Sequence, residues 1–239
     1  IQLFAEHGYC DHPDDQRLAA RFKACCGCSY DDFSAISSLD ILPGIQMPDT
    51  NSTNSSKFLF WQDPMMGLFD KTVEHIDLAS HYSKLTQRLS AACARNGEFA
   101  HVFEFLVRVS KILENKACLG IHITQLYKNN SKEELKKYAE QTIPLLMNQI
   151  EELRKYHRNL WHILYKPFGY EVMDLRYGAL IARLDSALWR ICQWTEGKIE
   201  NLEELDEERL PFDNKDGAVL CLPYQRIVSS GRIGFCTAF

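Results

Sequence analysis

Glu171 and Asp174 stand three residues apart in the segment Lys166–Leu184, a spacing that places both carboxylates on one face of a helix. A carboxylate pair is the equipment of acid/base work on a glycosidic bond. The same two groups are as well suited to ion pairs with Arg176, Arg183 or a neighbouring helix, and the reading adopted is a structural network of Glu171, Asp174 and Arg176. Cys25-Cys26-Gly-Cys28 offers thiolates, but a tetrahedral zinc site needs a second ligand pair and none lies nearby. Glu6, His7, Cys10 and His12 place four potential ligands within seven residues, yet a helix end and a turn explain them equally well. Glu152, His157 and His162 are spaced by five and fall off a single helical face, unlike the Glu-x-x-His pattern of bundle metal sites. His75, His81, His101 and His122 are scattered. There is no glycine-rich phosphate loop, no Gly-x-Ser-x-Gly elbow and no Walker pattern. No metal or other cofactor is therefore expected.

The elements that carry these residues read as helices. Ile1–Tyr9 is the amphipathic end of one. Asp14 or Asp15 caps a second that Gly27 ends, and Ser29 with Asp32 resembles a capping box for a short third. Residues 40–57 read as a polar loop with two glycosylation sequons, at Asn51 and Asn54, taken as unused. Phe58–Trp61 is a short apolar run, extended or buried, and Gln62-Asp63-Pro64 turns the chain. Helical periodicity then predicts helices over 72–95, 98–128, from the Ser131-x-x-Glu134 capping box to Pro167, and from Gly169 to about Glu196. Pro144 is expected to kink or divide the third of these. The last has a core stripe of Met173, Tyr177, Leu180, Leu184, Leu188 and Ile191. Glu203–Arg209 is an acidic solvated face, and 211–239 a tail with β-like pieces at Ala218–Leu222 and Arg226–Val228.

Composition bounds the rest. The chain has 239 residues, 46% hydrophobic and 25% charged, and a chain this long buries roughly 70–75% of its unfolded surface in one domain. A formal net charge of −5 argues against nucleic acid as a partner. Nine cysteines, an odd number in a chain with ample core, read as free thiols, which points to a reducing, cytoplasmic compartment. No apolar run approaches the ~20 residues of a membrane span. The opening Ile-Gln-Leu-Phe-Ala-Glu, without Met or leader pattern, suggests a start inside a longer protein.

Three stretches carry a resemblance. Lys166-Pro-Phe-Gly-Tyr-Glu-Val-Met-Asp-Leu-Arg-Tyr-Gly-Ala-Leu180 is similar to a segment in the C-terminal helical domain of one branch of glycoside hydrolase family 20, the exo-acting β-N-acetylhexosaminidases. Phe60-Trp-Gln-Asp-Pro-Met-Met-Gly-Leu-Phe-Asp70 resembles that branch's Tyr-Asn-Asp-Pro-Leu-Leu-Gly-Leu-Phe-Asp, with Trp61 and Gln62 as departures. Ile1–Tyr9 looks like the last helix of the catalytic barrel. The resemblance implies an all-α multi-helix bundle: residues 1–12 closing the barrel, 13–210 the helical domain, 211–239 a tail packed on it. It implies a substrate-assisted retaining hydrolysis of terminal N-acetylhexosamine, with the acid and the orienting Asp in a (β/α)₈ barrel of the same polypeptide, so no catalytic residue is expected in this chain. Trp61, Asp63 and Asp70 are the residues expected to face barrel or sugar. Glycan reaches the domain through the full enzyme, and a homodimer is a further expected partner. The competing reading is a free-standing carbohydrate-binding or protein-interaction module.

Overall fold

The computed structural model describes residues 2–12, 14–45 and 55–211. Its helices are α1 (Gln2–Tyr9), α2 (Asp15–Cys26), α3 (Tyr30–Ser34), α4 (Ser55–Trp61), α5 (Asp70–Val73), α6 (Leu78–Arg95), α7 (Ala100–Lys116), α8 (Leu119–Lys128), α9 (Lys132–Leu164), α10 (Tyr170–Thr195) and α11 (Glu203–Asp206). A short 3₁₀ turn at Ala35–Asp40 continues the chain directly from α3, and another at Gly97–Phe99 joins α6 to α7. No strand occurs among the described residues, and the fold is all-α as expected. None of these helices is long and apolar enough to cross a membrane.

The punctuation in the sequence sets most boundaries. Asp14 accepts from the Gln16 amide at 2.9 Å to open α2, and Gly27 closes it at φ 69°. Ser29 accepts from the Asp32 amide at 3.3 Å, but Asp32 does not reach back to complete the box. Its carboxylate goes to the Arg95 guanidinium instead, at 2.6 Å and 3.1 Å, and to Asn96 Nδ2 at 2.9 Å. Those contacts hold it below the usual carboxylate range. Ser131 precedes α9 without donating or accepting a side-chain cap bond.

Several boundaries differ from expectation. Phe58–Trp61, expected to be extended or buried, is buried and ends a helix that Ser55 and Ser56 begin inside what read as loop. The helix expected over 72–95 is two: α5 stops at Val73, and Asp77 recaps α6 by accepting from the Ser80 amide at 3.1 Å. The helix expected over 98–128 starts at Ala100 and breaks at Ala117-Cys118, with no glycine or proline to announce it. α9 runs unbroken through Pro144, which lies on its exposed side. The acidic run is only partly a solvated face. Leu205 is buried beneath it, and Glu204 accepts from Arg190 at 3.0 and 3.1 Å. The sequons, the β-like pieces and the tail from 212 onward lie outside the described residues.

α6 packs along α7 and α9 along α10, with α7 joining the two pairs through α9, and α4 against α7. At 1.5 Å per residue, the 33 residues of α9 span about 50 Å and give the bundle its long edge. One continuous core runs from Leu39 and Leu59 through Leu89, Phe103 and Ile112 to Ile150, Leu184 and Ile191. The predicted stripe of α10 faces it: Tyr177, Leu180, Leu184 and Ile191 are buried, Met173 and Leu188 half-buried against it.

Asn96 joins α3 to the end of α6. Its Oδ1 accepts from the Ser29 amide at 3.0 Å, and its Nδ2 donates to Asp32 and, at 2.6 Å, to the Ala92 carbonyl. Asn96→Ala would strand the Ser29 N–H and remove one of the two donors to Asp32 Oδ2. A loss of about 2–3 kcal/mol in chemical denaturation is expected, and a change within ~0.5 kcal/mol would place these bonds among the dispensable.

Candidate functional site

The two segments singled out in the sequence meet in space. Trp61, at the end of α4, lies half-buried against Tyr177 of α10, ring centroids 5.3 Å apart. Two residues on, Asp63 Oδ2 accepts from Arg183 Nε at 2.7 Å across 120 residues of sequence. Asp63 is 1% exposed, and its other oxygen accepts from the Met65 and Met66 amides at 2.8 and 3.1 Å. It therefore shapes the turn after Pro64 and ties that turn to α10 at once.

The turn closes on Asp70, the first residue of α5. Gln62 Nε2 donates to Asp70 Oδ1 at 2.8 Å, and Gln62 Oε1 accepts from the Phe69 amide at 3.1 Å. From α7, Lys116 donates to the Gln62 carbonyl at 2.8 Å and lies 3.5 Å from that of Leu59. Lys116 is 1% exposed and Asp70 3%. Burial raises the Asp70 carboxyl to about 6, opposed by the charges of Arg209 and Lys116 and by the Gln62 bond. Burial lowers the Lys116 ammonium to about 8, opposed by Asp70 and Asp63. Glycine is required at two positions: a Cβ at Gly67 would collide with the Asp70 carboxylate, and one at Gly120 of α8 would stand 2.5 Å from its Oδ2.

The loop between α9 and α10 has its own fastenings. Trp161 Nε1 donates to the Lys166 carbonyl at 2.9 Å, and Tyr170 Oη to the Arg154 carbonyl at 2.7 Å. Glu171 accepts from the Gly169 amide at 2.7 Å, while Asp174 accepts from Arg154 at 3.0 Å. Gly169 sits at φ 96° beneath the Trp161 ring. His157 Nδ1 lies 3.1 Å from Tyr177 Oη, and burial lowers the imidazole's pKa. Arg176 borders an apolar cleft of about 300 Å³ with Lys57, Trp61 and Tyr177. Glu171 and Asp174 thus engage different partners on different elements.

Elsewhere, Glu6 is buried and bound by Arg17 and Arg21, and Cys10 Sγ accepts from Arg17 at 2.8 Å. Cys25 and Cys26 are exposed, Cys28 is buried, and the described cysteines are free. Among the described residues no group of three or more His, Cys, Asp or Glu side chains is placed to hold a metal.

The family of glycoside hydrolase 20C C-terminal domains matches residues 31–220. The chain belongs to that family. It is a domain associated with family 20 glycoside hydrolases, and the match takes in both the 60–70 turn and the 166–184 segment while leaving α1 and α2 outside. No curated protein matches the chain.

The domain's sequence marked Trp61, Asp63 and Asp70 but not the groups that hold them. Arg183 closed the flagged segment without being paired to Asp63. Lys116 went unnoticed, although a lysine on the apolar stripe Val109, Ile112, Leu113 is the signal of a buried cation.

Asp63→Ala would free two amides and orphan Arg183, and a loss of about 2–4 kcal/mol is expected. Asp63→Asn, which keeps an acceptor for the amides, should lose less. Equal losses in urea unfolding would show that the turn does not depend on those amide bonds. For Asp70 the folded pKa lies above the unfolded 3.8, so the folded state binds the extra proton and stability rises as pH falls from about 6 to 4. The gain is on the order of 3 kcal/mol. Asp70→Asn should remove that slope from the pH dependence of unfolding; a slope unchanged in the variant would assign it to another group.

Proposed function

We propose that this chain is the non-catalytic C-terminal domain of a β-N-acetylhexosaminidase, and that it serves the enzyme by holding a fixed surface against a catalytic (β/α)₈ barrel in the same polypeptide. Hydrolysis of terminal N-acetylhexosamine then runs on barrel residues, with the substrate's own acetamido group as nucleophile. The observation that carries this reading is the joining of the two family segments through Asp63–Arg183 and Trp61–Tyr177. Residues that a catalytic site would present to solvent are here engaged in fastening one turn to one helix. Glu171 and Asp174, the acid pair of the sequence, are bound to the Gly169 amide and to Arg154 in the same manner.

Two places suit the contact with the barrel. Trp61 is partly exposed, while Asp63 and Asp70 act through the turn they fix. The tip of the α9–α10 hairpin adds Ile163, Tyr165, Phe168, Val172 and Leu175, all exposed, with Phe168 at 82%. Apolar side chains grouped in this way are the mark of a surface that another protein surface covers. Residues 1–12 fit the last barrel helix in this arrangement, with Glu6 bound to Arg17 and Arg21 as the tie between the two parts.

The test is hydrolysis of a chromogenic N-acetylglucosaminide. The polypeptide comprising residues 1–239 should give no turnover, and the barrel-bearing enzyme should; turnover by 1–239 alone overturns the reading. Phe168→Ser with Leu175→Ser should lower the melting temperature of the barrel-bearing enzyme and leave that of 1–239 unchanged. Equal shifts in both would place the hairpin tip outside the contact.

A further inference from the structure

The apolar cleft of about 300 Å³ beside Trp61 lies where α4, α7, α9 and α10 meet. Trp61, Phe105 and Tyr177 bring aromatic rings to it, and Leu106, Val109 and Met173 extend the apolar wall. The hydroxyls of its lining are already in use. Ser56 Oγ donates to the Leu39 carbonyl and lies 3.0 Å from Tyr82 Oη, and Tyr177 Oη lies 3.1 Å from His157 Nδ1. A sugar placed here would give up water at its hydroxyls and find those groups taken. An aromatic body has no such loss, and ring faces and edges suit it as neighbours. An apolar cavity of about 150 Å³ takes up one benzene ring, so this cleft has room for roughly two fused rings.

The charge on the cleft has one sign. Lys57 and Arg176 are its charged lining residues among those described, and no described carboxylate lines it. The lining grades from buried Leu39, Phe60 and Leu153 to half-buried Lys57 and Arg176, which sets the two cations toward solvent. Neither cation is without other interactions. Ammonium and guanidinium groups each carry several N–H donors, however, so each can take an anion without releasing what it already holds. Apolar walls beside two cations are complementary to a molecule with an apolar body and one negative end.

We propose that this cleft binds a small aromatic carboxylate of naphthoate size, its rings among Trp61, Phe105 and Met173 and its charge beside Lys57 and Arg176. The site does not rest on the hydrolase reading, since no residue of the cleft is given a part in hydrolysis and binding is read without turnover. Trp61 also belongs to a surface proposed to meet the barrel, so the titration is made on the full polypeptide that carries this chain. Calorimetric titration with 2-naphthoate should saturate, and its neutral isostere 2-naphthamide should bind about tenfold more weakly. Lys57→Gln combined with Arg176→Gln should bring the naphthoate affinity down to that of the amide and leave the amide unmoved. Leu106→Trp, which fills the cleft, should abolish binding of both; if that variant does not fold, the charge variant decides alone. No saturable binding of naphthoate, equal affinity for naphthoate and amide, or naphthoate binding unaltered by the charge variant overturns the assignment. Tighter binding of octanoate than of naphthoate overturns the aromatic class of ligand.

Discussion

The ion pair between Arg183 and Asp63 is the constraint on which the arrangement turns. An exposed pair of this kind contributes little, but this one has a fully buried carboxylate whose second oxygen is occupied by two amides of its own turn. Removing Arg183 leaves a buried carboxylate without its cation, and removing Asp63 frees the two amides of the turn. The turn cannot relax without releasing α10, and α10 cannot slide without uncapping the turn. Gln62, Lys116 and Asp70 extend the same logic one layer inward, where a lysine is tolerated in the core because backbone carbonyls accept from it and two carboxylates lie close by.

This arrangement accounts for the division of labour in the bundle. The apolar core supplies most of the favourable free energy and would accept many alternative side chains of similar volume. The polar contacts at residues 62–70 select one placement of α4, α5, α7, α8 and α10 relative to one another. A surface meant to meet another domain gains from such selection, since a rigid partner does not have to be ordered again on contact.

Much of the helical layout was legible because local chemistry wrote it down. Asp14, Ser29, Gly27, Gly169 and Gly197 stand at helix ends, and the stripe from Met173 to Ile191 faces the core. The break at Ala117-Cys118 was not legible, for neither residue is a glycine or a proline, and α7 and α8 both pack on α9. The burial of Phe58–Trp61 was legible but its helical form was not, because a short aromatic run after serines carries no helical period of its own. At the site, Trp61, Asp63 and Asp70 stood out as residue types, but their partners come from helices far along the chain. Sequence distance hides a contact across 120 residues, and only tertiary packing brings Arg183 to Asp63.

Gly67 and Gly120 both lie against the Asp70 carboxylate, each too close to accept even a methyl group. The three positions consequently form a locked set in the history of the domain. A side chain gained at either glycine collides while the aspartate is present, and a shorter residue at 70 opens a void while both glycines remain. Substitution at these sites is passable only in a particular order, the acid first and the glycines after, so lineages that have kept the acid should also have kept both glycines, and their loss, where it occurs, should run in company.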